Sequence, residues 1–115
     1  MQRKFRLTRS DDFKRVRRNG KSYAHPLVVL FAQASAQPRL RVGVAAGHTL
    51  GKAVQRNRAK RLLREAVRPM LPGIASGWEL VLIARPGILT ASLEDTRYAL
   101  NGLLLRAGLI PENDV

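Results

Sequence analysis

RLRVGVAAGHTLGKAVQRNRAKRLLREAVR, residues 39–68, changes its periodicity halfway along. From Arg39 to Ala46 the pattern has period two, with Leu40, Val42, Val44 and Ala46 on one side and Arg39, Arg41 and Gly43 on the other. That alternation predicts a strand with one buried face. From about residue 52 to 68 apolar residues recur at helical spacing instead, and Pro69, Pro72 and Gly73 end the run. Residues 78–84, WELVLIA, return to strand composition. The centre of the chain therefore reads as strand, helix, strand.

Working outward, residues 27–34 (LVVLFAQA) form an apolar run rich in β-branched and aromatic types, and Pro38 sits in the turn that follows. Ser10 to Asn19 predicts a first helix. Ser10 is its expected N-cap, Asp11 and Asp12 suit its positive end, Phe13 and Val16 share a face, and Gly20 is expected to end it in the left-handed conformation. A last helix begins near Ser92, where Ser92 and Asp95 can form a capping box, and it should bury Leu100, Leu103, Leu104 and Ala107. The order is α-β-β-α-β-α, with room for one more short strand near Tyr23. This predicts a small α+β two-layer sandwich, one side of its sheet core and the other wet and basic. At 115 residues, residues 1–115 read as a single domain, long enough to bury a core of its own.

Residues 1–68 hold 18 of the 21 Lys and Arg against three acids, Asp11, Asp12 and Glu65; residues 69–115 hold three bases against five acids. An asymmetry this strong calls for a polyanionic partner. No segment has the roughly 18 apolar residues of a membrane span, and MQRKFRLTRS lacks the apolar stretch of a signal peptide, so no membrane partner and a cytoplasmic location are expected. With no cysteine there is no disulfide and no thiolate metal site, and His25 and His48 are isolated from other ligand types. No metal-binding residues are expected in the protein itself.

At about 100° per residue, Arg56, Lys60, Arg64, Asn57, Arg68 and Arg61 fall within an arc of about 140°, while Ala59, Leu62, Leu63, Ala66 and Val67 fill the complementary arc. Glu65 is expected to pair with Arg61 one turn earlier, leaving Arg56, Asn57, Lys60, Arg64 and Arg68 as a free cationic stripe. Like charges at i, i+4 cost about 0.2–0.5 kcal/mol per pair in an isolated helix, a penalty that a phosphate backbone would more than remove. Arginine and asparagine can also read base edges and loops. A metal-dependent nuclease needs carboxylates that converge on the scissile phosphate. The eight acids offer no such group beside the cationic helix, so no catalytic residue is assigned.

Gly51, Ala53, Val54, Arg56, Asn57, Arg58, Lys60, Arg61, Arg64 and Glu65 resemble the RNR signature of the protein subunit of bacterial ribonuclease P, the ribonucleoprotein that removes 5′ leaders from precursor tRNA. RLTRSDDFKRV near the N-terminus, the Gly20 turn, LRVGV before the signature, LVLIARPG after it and the Leu-rich last helix occur in the family's order. The resemblance thus covers almost the whole chain. It implies a ribosomal-protein-like fold whose β-α-β crossover is left-handed, against the usual rule. It further implies a non-catalytic subunit of an endoribonuclease, whose RNA subunit holds the active site and most of the magnesium. Its partners would be ribonuclease P RNA and precursor tRNA, with no obligate protein partner evident.

By the same resemblance Arg56, Asn57, Arg58, Lys60, Arg61 and Arg64, with Arg68 from the stripe, contact the catalytic RNA. Phe13 and Phe31, with Arg39 and Arg41 nearby, would line a cleft for the single-stranded leader. For Phe13 a core role is equally open. Arg17 stands where a second aromatic often occurs, and its guanidinium can stack while adding charge. Ala46-Gly47-His48-Thr49-Leu50 replaces a segment that carries consecutive lysines in many members. The alternative is a structural ribosomal or other RNA-binding protein, which would need no leader cleft.

Overall fold

A computed structural model describes residues 3–112. Helix α1 spans Ser10–Asn19, followed by strands β1 (Lys21–Ala24), β2 (Val28–Ala34) and β3 (Leu40–Ala46), helix α2 (Ala53–Val67), strand β4 (Trp78–Ala84) and helix α3 (Leu93–Arg106). Short 3-10 turns precede α1 and α2 and flank β4. The α+β class and the order hold, and β1 is the short strand anticipated near Tyr23.

The sheet order is β1-β2-β4-β3. β2 pairs antiparallel with both β1 and β4, whereas β3 and β4 lie parallel, joined by the α2 crossover. In β4, Leu80, Leu82 and Ala84 point one way, in register with Ala32, Leu30 and Val28 on β2 and with Val42, Val44 and Ala46 on β3. This is the face that α2 and α3 cover, through Ala59, Leu63, Ala66 and Val67 from α2 and Ala99, Leu100, Leu103 and Leu104 from α3. The Ser92 hydroxyl accepts from the Asp95 N–H at 3.0 Å and the Asp95 carboxylate from the Ser92 N–H at 3.3 Å, so the capping box of α3 forms as its sequence predicts.

Glu79, Val81 and Ile83 point the other way, and this face carries a second, smaller core of Leu7, Val16 and Val81 with Phe13, Phe31 and Ile83 packed against it. α1 therefore covers part of the face that alternation alone marks as wet. Between the two layers of side chains β4 is buried along most of its length.

The two ends of α1 differ from expectation. Arg9, not Ser10, occupies the N-cap position and no side chain caps the helix; Ser10 already lies in its first turn. Gly20 is extended (φ −81°, ψ 163°) rather than left-handed. Its requirement is steric: a Cβ there would sit 2.6 Å from the Val16 carbonyl oxygen and 2.7 Å from that of Ala32. Both obstacles are backbone, so Gly20→Ala must push α1 away from β2. A loss of about 2 kcal/mol is expected from such overpacking, read as an earlier midpoint in urea. An unchanged midpoint would show that the contact yields freely.

Candidate nucleic-acid interface

On the α1 face of the sheet, Ser22, Phe31, Val81 and Gly43 form one cross-strand row, and Ala24, Val29, Ile83 and Ala45 the next. The ring of Phe13 lies directly over Gly43, where any Cβ would collide with it. Glycine at this point of β3 thus lets an aromatic ring of α1 rest on the backbone. One turn later the Arg17 guanidinium lies 5.8 Å from the centroid of the Phe31 ring, in cation–π range. Val29, Phe31, Ala45 and Ile83 are only half-buried. They floor an apolar trough walled by Phe13 and Arg17, with Lys14 and Arg18 exposed on the helix above.

α1 is fastened over this trough by charge. The Arg15 guanidinium donates to Glu79 Oε1 at 2.6 Å, to Gln33 Oε1 at 2.8 Å and to Asp12 Oδ1 at 2.8 Å. Arg41 approaches Glu79 at 3.7 Å and Asp12 at 3.8 Å. Glu79 retains only 8% of its side-chain exposure, so it is a buried carboxylate held between two guanidiniums. The hydrogen bond from Arg15 holds the Asp12 carboxyl below its ordinary range, against a smaller opposing effect of burial. The same two acids, Glu79 first, push Arg15 upward. Arg41 is thus part of the fastening at the edge of the trough. Arg39 lies outside it, just before β3 and beside Lys4, Phe5, Leu71 and Ile74.

The second surface is α2. Arg56, Lys60 and Arg64 lie half-buried along one edge of it, whereas Asn57, Arg58 and Arg61 are exposed. Arg56 Nη1 donates to His48 Nδ1 at 2.6 Å, which fixes the first turn of the stripe against the preceding 3-10 turn. The Gln55 side chain accepts from the Lys52 N–H at 2.8 Å and closes the helix start. Arg64 is held below its ordinary value, first by burial and then by the neighbouring charge of Arg6, and both line a notch with Thr8 and Phe13. Glu65 reaches Arg68, at 3.0 Å, rather than Arg61. The i, i+3 contact, where the helix passes into the 3-10 turn at Arg68, prevails over the i−4 one, and it is exposed enough to be worth under about 1 kcal/mol. Among the described residues no other ion pair involves α2.

Of the residues singled out in the sequence, Phe13, Arg17 and Phe31 come together in the trough, with Arg41 at its margin. Arg56, Asn57, Arg58, Lys60, Arg61, Arg64 and Arg68 share α2. Tyr23 faces the opposite side of the sheet, with Arg106 5.9 Å above its ring. Arg6, Arg15 and Glu79 escape a reading by local periodicity. The only trace of the last is an acid at an alternating position of an otherwise apolar strand. Among the described residues no helix is long and apolar enough to cross a membrane, and no three His, Cys, Asp or Glu side chains group as metal ligands would.

The family model described as Ribonuclease P matches residues 1–108. A ribonuclease P protein component from Herpetosiphon aurantiacus is 42% identical over 109 residues, covering 95% of this chain and 89% of the relative. One from Brevibacillus brevis is 39% identical over 116 residues, covering 100% and 92%. Among solved structures, the RNase P protein of Staphylococcus aureus superposes with a TM-score of 0.82 at 25% identity, over 93% of this chain and 98% of that one. The RNase P protein from Thermotoga maritima gives 0.78 at 28% identity, over 88% and 96%.

Proposed function

The chain belongs to the family of ribonuclease P protein components, and from that membership we propose that its two basic surfaces serve two different RNA strands. As a member of the family it is the protein subunit of an endoribonuclease ribonucleoprotein and works with ribonuclease P RNA. The stripe on α2, Arg56, Asn57, Arg58, Lys60, Arg61 and Arg64 with Arg68 at its end, lies against that RNA. The trough of Phe13, Arg17 and Phe31, bordered by Arg41, holds the single-stranded 5′ leader of precursor tRNA, which runs on past it toward Arg39. The RNA holds the catalytic magnesium, and the protein binds and aligns. The reaction belongs in the cytoplasm, where precursor tRNA is made.

The observation that carries this reading is the half-buried Phe31 ring beneath the Arg17 guanidinium. A base laid there meets a π face and a cation without any demand on its identity, which suits leaders of varied sequence. A structural ribosomal protein has no use for such a trough.

Reconstitution tests it. The protein alone should leave precursor tRNA intact, and protein with ribonuclease P RNA at low magnesium should cleave it. Phe31→Ala should weaken binding of precursor over mature tRNA by about tenfold, the loss of roughly one stacked base, while affinity for the RNA subunit is kept. Cleavage by the protein alone overturns the division of labour. Equal loss of both affinities would instead assign Phe31 to the core.

A further inference from the structure

On the side of α2 away from Arg56 and Arg64, a cavity of about 300 Å³ opens between α2, the 3-10 turn Pro86–Thr90 and the start of α3. Leu62, Ile88, Leu89 and Leu93 line it, and Arg58 and Arg61 stand at its rim. Ile88 is fully buried at its base, whereas Leu62, Leu89 and Leu93 are half-exposed. One turn before Arg58 on the same helix, Val54 is 78% exposed. This is apolar surface left open between the core-facing side of the helix and its cations, and neither the core nor the RNA-binding stripe accounts for it.

We propose that this cavity takes one unpaired base of the ribonuclease P RNA, a site separate from the leader trough; the proposal rests on the assignment of α2 to that RNA. The volume lies at the lower limit of pockets that enclose small ligands, which suits a single flat ring and not a protein helix. Two arginines at the mouth of an apolar cavity select an occupant with an apolar face and an anionic flank, and a nucleotide has both. Their guanidinium planes can stack on the base edge or hold the flanking phosphates. Glu65, at the third corner, is occupied by Arg68 at 3.0 Å and adds an acceptor for an amino edge without standing as a free charge at the mouth. The RNA subunit is the source because α1 and its trough lie on the opposite face of the sheet. A leader seated there would have to pass around the sheet to arrive.

The chain has no cysteine, so Thr90→Cys places a single thiol on the exposed end of the turn that lines the cavity. Iron–EDTA attached there, in the assembled and active holoenzyme, should cut the RNA subunit around one unpaired nucleotide. Ala91→Phe, which narrows the mouth from a half-exposed position, should weaken RNA-subunit binding by about tenfold, with the thermal midpoint and the preference for leader-bearing substrate unchanged. An abasic substitution at the mapped nucleotide should give the same loss, and the two together no more than either alone. Should Ala91→Phe lower the midpoint, the smaller Ala91→Leu carries the same expectation. Wild-type affinity in the narrowed variant, cuts confined to the leader, or no cuts in an active particle would overturn the proposal and leave the assignment of α2 standing. A wild-type protein that fails to support cleavage would instead remove that assignment.

Discussion

Arg15→Leu is expected to lower stability by about 3 kcal/mol, because it strands a buried carboxylate. Glu79 would keep only Arg41, at 3.7 Å, and Gln33 and Asp12 would lose their shared donor. The figure sits at the low end of the range for a broken buried pair because the Arg15 side chain is itself 38% exposed. In a chain of this size it corresponds to a fall in Tm of roughly 10–15 °C. Arg15→Leu combined with Glu79→Leu should recover most of that loss, since an apolar pair of similar volume needs no counter-ion. A double variant as unstable as the single one would show that packing, not charge, fastens α1.

The same fastening sets a pH dependence. The Asp12 carboxyl is depressed in the folded protein, so its contribution is present above the unfolded value of about 3.9 and disappears as pH falls through the folded value. The gap between wild type and Arg15→Leu should therefore narrow below about pH 4. Binding follows stability, because Phe13 and Arg17 ride on the helix that Arg15 holds. Preference for leader-bearing substrate should fall in the variant even at temperatures where it stays folded.

Arg56→Ala, Lys60→Ala and Arg64→Ala together should weaken affinity for ribonuclease P RNA by roughly 100-fold, counting about 1 kcal/mol for each lost phosphate contact. The slope of log affinity against log salt should become shallower by about 2–3 units, at 0.7–0.9 per phosphate released. Folding should suffer little, because the lost Arg56–His48 contact is exposed and is offset by relief of repulsion. Each like-charge i, i+4 pair removed returns about 0.2–0.5 kcal/mol, and the repulsion between Arg6 and Arg64 goes as well. Titration across salt with the triple variant decides the matter, and an unchanged slope would mean that these cations are merely solvated.

Local pattern carried most of the fold. β4 spans Trp78–Ala84, the seven residues whose composition marks a strand, and α2 at Ala53–Val67 departs by one residue at each end from the periodic stretch. These follow from periods of two and 3.6, which neighbouring residues impose on one another. What joins distant segments was hidden. Arg15 and Glu79 lie 64 positions apart, and only the β1-β2-β4-β3 order brings them together. Gly20 illustrates another limit. A glycine after a helix suggests a left-handed cap, but the residue serves to let two carbonyls approach, which only the tertiary arrangement reveals. At the candidate site, Phe13 and Phe31 were singled out only through the family resemblance, whereas the α2 cations were legible as residue types at a spacing. Arg6 and the Leu62–Leu89 cavity were not, because their partners come from other parts of the chain.

Because every second side chain of β4 feeds one hydrophobic layer and the alternate ones feed the other, that strand behaves as a shared axle. Each helical layer packs directly on it. Two polynucleotides gripped by the two layers would accordingly be kept at a constant offset, the protein serving as a caliper whose jaws meet at the notch that Arg64 and Phe13 share.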